Sequence, residues 1–168
     1  MPQDADRYSE TWPHDGEALL RELSDFPGRL ALVVRGPATP EVLAAIAAVA
    51  NSPVLQIGRH LAQSSLPYSV EGVMETLDTA VVLDALDVLF WKPGLDIDPL
   101  HALVRLARHR PIVAAWPGEV DTRARMVRYS RPGRSDFYEA ELSDAIILSP
   151  RPRRFPDQVP YTLERIPA

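Results

Sequence analysis

Apolar runs separated by Gly, Pro and polar clusters recur along the chain at Leu30–Val34, 54–58, 80–83, Ile112–Trp116 and 145–148. Runs this short and this uniformly apolar suit strands covered on both faces. Between them the spacing changes to a helical period. Leu19, Leu20, Leu23 and Phe26 share one side of a helix from Asp15 to about Phe26, closed by Pro27-Gly28. Thr39 as N-cap, Pro40 at the first helical position and Glu41 at the positive helix end predict a helix to about Ala50. Arg59 to Leu66 reads as a helical turn, and Ser69 caps a further helix carrying Val73, Met74 and Leu77. Asp98-Pro99 opens another, striped by Leu100, Leu103, Val104 and Ala107. A turn-rich stretch follows Pro117-Gly118, with one possible strand at Met126–Ser130. Strand–helix alternation of this kind predicts an α/β domain: a mostly parallel sheet with helices on both faces, in three layers.

The pattern bounds the domain at residues 15–149, after a polar arm (residues 1–14) and before a Pro- and Arg-rich tail (residues 150–168) expected to lie over the surface. At 168 residues the chain is the size of one domain. Its net charge of −5 gives no general attraction to nucleic acid or anionic lipid. The basic residues are 17 arginines and one lysine, Lys92, and cysteine is absent, which excludes disulfides and thiolate metal sites. A polar, acidic N-terminus and the lack of any membrane-length apolar run lead to the expectation of a cytoplasmic protein.

Candidate chemistry centres on Ala80-Val81-Val82-Leu83-Asp84, where an apolar strand runs into an acid. Ligands of α/β proteins bind at such carboxyl ends. In P-loop NTPases this is the Walker B position, whose aspartate holds Mg²⁺. Asp84, with Asp87 beside it, is therefore the candidate metal site. The matching phosphate loop would follow the first strand, at Gly36-Pro37-Ala38-Thr39-Pro40-Glu41. Gly36 and Thr39 are its candidate binding residues, yet the pattern G-x-x-x-x-G-K-[ST] is lost. Glu41, Val42 and Leu43 stand where glycine, lysine and hydroxyl belong. An ordinary capped helix after a strand explains the same residues. Asp84 and Asp87 likewise read as loop acids, and Trp116 as core. The cluster Arg151, Arg153, Arg154 and Phe155 reads as solvated tail. His14, His60, His101 and His109 lack metal-ligand spacing, and Ser64 and Ser65 lack nucleophile-elbow glycines.

The segments Val81–Phe90, Leu95–Leu100, Arg108–Gly118 and Tyr129–Tyr138 occur in an order that resembles the BrxF family, the small P-loop proteins of type 3 BREX (bacteriophage exclusion) systems. The resemblance covers roughly residues 19–149 and is strongest from residue 80 onward. It implies a P-loop NTPase-like (RecA/AAA-like) core and a role in phage defence. The partners it implies are a large ATPase, a DNA methyltransferase and a phosphatase-like protein. The family's phosphate loop is replaced here, and only the Walker B aspartate carries over, onto Asp84. The expectation is a non-catalytic interaction subunit with no cofactor. The alternative is an ATPase with an unconventional loop, binding Mg-ATP within a larger complex. The strands near residues 30–35 and 80–84 are expected side by side at the sheet centre.

Overall fold

The computed structural model describes residues 16–63, 69–91, 97–152 and 161–166. The chain runs α1 (Gly16–Asp25), β1 (Leu30–Val34), α2 (Thr39–Ala50), β2 (Val54–Gln56), α3 (Ile57–Gln63) and α4 (Val70–Leu77). It continues β3 (Val82–Asp84), α5 (Val88–Trp91), α6 (Pro99–Ala107), β4 (Val113–Trp116), β5 (Glu119–Asp121) and β6 (Met126–Tyr129). β7 (Tyr138–Glu141), β8 (Ala145–Pro152) and β9 (Tyr161–Ile166) follow. The expected arm lies outside the described residues.

β2-β3-β4-β1-β8-β9 form one sheet, parallel from β2 to β8, with β9 added antiparallel to β8. Successive side chains of a strand point to opposite faces, and the two apolar clusters divide accordingly. Ala31, Val33, Val113 and Ala115 meet Leu19, Leu23, Val42, Leu43 and Ile46 of α1 and α2. Leu30, Leu32 and Ala114 meet Leu61, Val73, Leu77, Leu89 and Leu103 of α3 to α6. The predicted α/β sheet with helices on both faces is therefore present. No helix among the described residues is long and apolar enough to cross a membrane.

Several details differ from expectation. β1 and β3 are not neighbours: β4 lies between them, pairing Ala31 with Val113 on one side and Leu83 with Ala114 on the other. All of these strands are apolar, so hydropathy carried no ranking of their order. The second strand stops at Gln56, because Ile57 already turns into α3 and is fully buried there. The N-cap of α2 is Ala38, with Thr39 and Pro40 as its first two residues. Ser69 and Asp98 cap α4 and α6 as expected, accepting from Gly72 N (3.0 Å) and His101 N (2.9 Å). The tail extends the sheet, since β8 runs on to Pro152 and pairs with β9.

The turn-rich stretch holds a second, antiparallel sheet, β5-β6-β7. Only β6 was legible beforehand. β7 alternates Tyr138 and Ala140 inward with Glu139 and Glu141 outward, too short and too charged to announce a strand.

Candidate functional site

The carboxyl ends of β1, β3 and β4 lead into Arg35–Ala38, Ala85–Asp87 and Pro117-Gly118. Asp84 ends β3 opposite Gln56, its register partner on β2. One carboxylate oxygen accepts from Gln56 Nε2 at 2.9 Å and the other from the Ala85 N–H at 2.8 Å. Ala85 itself is left-handed, φ +54°, a conformation that side chains rarely adopt outside constrained loops. Asp84 thus anchors the turn that leaves the sheet. Both its oxygens have partners, and among the described residues no group of three or more His, Asp or Glu is arranged to hold a metal.

The loop after β1 closes on itself. Thr39 Oγ1 accepts from the Gly36 N–H at 2.8 Å and donates to the Val34 carbonyl at 3.2 Å. The Thr39 N–H in turn bonds the Gly36 carbonyl at 3.1 Å. A phosphate cradle needs N–H groups pointing outward. Here those of Gly36 and Thr39 are taken, while Pro37 and Pro40 have none. Thr39 is 5% exposed, a turn-closing residue.

The two candidate loops meet through Asp87. Arg35 Nη2 stands 3.9 Å from one Asp87 oxygen, and the Tyr129 hydroxyl donates to the other at 3.4 Å. Among the described residues no hydrogen bond or ion pair joins Gly36 or Thr39 to Asp84. Tyr129 stacks on Phe90, with ring centroids 4.1 Å apart, and Phe90 sits edge-on to Trp116 and Tyr138. Burial raises the Tyr129 hydroxyl pKa, and the Asp87 charge adds to it. Tyr138 is raised further, again by burial first, then by its 2.6 Å bond to Asp98.

Trp116 is core: fully buried, with Nε1 donating to the Arg128 carbonyl at 3.0 Å. His14, Ser64, Ser65, Lys92, Arg153, Arg154 and Phe155 lie outside the described residues. A cavity of about 130 Å³ lies at the opposite end of the sheet, between Leu23, Pro27 and Ala107–Pro111. It belongs to the strand starts, away from Asp84. Sequence reading missed Gln56, Arg35 and the two tyrosines. Gln56 alone left a signal, as a polar residue interrupting an apolar run.

Comparison with family models, with curated proteins and with solved structures finds no match to this chain.

Proposed function

We propose that this chain is a P-loop-like subunit of a BREX-type phage-defence assembly that binds partner proteins and does not turn over nucleotide. The mostly parallel sheet with helices on both faces, and Asp84 at the carboxyl end of β3, support the fold part of this reading. The family resemblance, strongest from residue 80 onward, supports the biological part. The large ATPase, methyltransferase and phosphatase-like protein of such systems are the partners it suggests.

One observation carries the non-catalytic part: in the Gly36–Thr39 turn the Gly36 and Thr39 N–H groups are bonded internally, and Pro37 has none to offer. A triphosphate brought to it would also face Glu41 where the pattern has a glycine, with no lysine following. A hydrogen bond to a charged group contributes roughly 1.5–3 kcal/mol, so the missing lysine contact alone weakens affinity by about one to two decades. Calorimetry with Mg-ATP at tens of micromolar is expected to show no saturable binding. Saturable binding that Asp84→Ala abolishes would reject this reading in favour of an ATPase with an unconventional loop.

A further inference from the structure

The antiparallel sheet β5-β6-β7 is inserted between β4 and β8, both strands of the main sheet. Among the described residues no backbone–backbone hydrogen bond joins it to that sheet. It is tethered by Pro117-Gly118 at one end and by Leu142–Asp144 at the other. Side chains make every remaining attachment: Val127 joins the apolar cluster that holds Leu89, Leu103 and Trp116, with Val120 and Ala140 packed against it, and the polar ties are few. Trp116 Nε1 bonds the Arg128 carbonyl at 3.0 Å. Tyr129 donates to Asp87 at 3.4 Å, and Tyr138 to Asp98 at 2.6 Å. Phe90 is packed between the two tyrosine rings and Trp116. Among residues of the three strands only Val127 is fully buried.

Of the two latch aspartates, Asp87 follows β3 at the edge where α/β sheets take their ligands, and Asp98 caps α6. We propose that the three-stranded sheet is a hinged cover beside the Asp84–Asp87 loop, opening as a unit while the parallel sheet stays folded. The physical reason is local. Opening breaks two tyrosine–aspartate bonds, the Leu100 N–H bond to the Tyr138 hydroxyl, one indole bond and the ring contacts around Phe90, and it uncovers Val127. Unfolding the parallel sheet breaks ladders on both sides of β1, β3 and β4. Proteins open first where buried apolar contacts are fewest. This inference stands on the geometry and is independent of the phage-defence reading.

The chain has no cysteine, so one introduced thiol reports cleanly on exposure. Val127→Cys and Val33→Cys place it at positions that are each 0% exposed, one under the cover and one in β1. Thiol labelling of the full folded chain is expected to run at least about tenfold faster at Val127→Cys, because only that site is reached by subglobal opening. Adding Tyr129→Phe and Tyr138→Phe keeps the rings and removes both latches. It is expected to speed Val127→Cys by a further tenfold or so and to leave Val33→Cys unchanged. Equal rates at the two positions in the otherwise native chain would overturn the proposal. So would a double Phe variant that accelerates both alike, since the small sheet would then unfold only with the whole.

Discussion

At Thr39 one hydroxyl accepts from the Gly36 N–H and donates to the Val34 carbonyl, tying the end of β1 to the start of α2. Thr39→Val keeps the shape and leaves both backbone groups without that partner. A loss of about 1–3 kcal/mol is expected in urea unfolding, with little change in m-value. An unchanged midpoint would mean that the turn does not depend on the hydroxyl. Tyr129 and Tyr138 act through protonation. Their hydroxyl pKa values are raised in the folded chain by burial and by Asp87 and Asp98. The unfolded chain therefore ionises first, near the ordinary tyrosine value of about 10. Their contribution is full below that pH and is lost as pH rises above it. Urea midpoints should fall as pH rises above about 10, more steeply in the native chain than in a Tyr129→Phe/Tyr138→Phe variant. Parallel profiles would sink the assignment.

Among the elements, β9 has the clearest separate job. It pairs with residues 147–152 of β8, and β8 pairs with β1 only over 145–148. The second half of β8 thus projects past the parallel ladder with β9 as its one strand partner. Pro150 is tolerated in it because its backbone faces the side where β1 has ended, its carbonyl approaching Gly36. A chain ending at Pro152 leaves the β9-facing edge of β8 open over Ile147–Pro152. Open edges template pairing with other chains. Size-exclusion chromatography with light scattering should show that shortened chain aggregating where the full chain does not, and an identical profile would contradict it. Gly118 is the tightest point of the insertion: a Cβ there would lie 1.9 Å from the Arg128 carbonyl oxygen, so no other residue fits without moving β6.

At the scale of the whole molecule the chain is a three-layer α/β domain with a small sheet attached at its carboxyl edge. Under the proposed function, deleting its gene from an active locus lowers phage resistance, read as plating efficiency. An unchanged efficiency, or a locus without BREX-type neighbours, would remove the basis for that role. The layers were legible in the sequence because burial on both faces imposes continuous apolar runs, and one-sided helices impose a 3.6-residue period. The caps at Ser69 and Asp98 were legible because capping is a contact within one turn. That the G-x-x-x-x-G-K-[ST] pattern is not met after β1 was legible for the same reason, as a matter of which residues stand consecutively. Strand order was not: β1, β3 and β4 are interchangeable in hydropathy, and only packing in three dimensions put β4 between the others. The ties of Asp87 to Arg35 and Tyr129, and of Asp98 to Tyr138, span 52, 42 and 40 positions at the most. No local pattern encodes pairs so far apart, so the tertiary structure alone decided that the two acids after β3 fasten the small sheet.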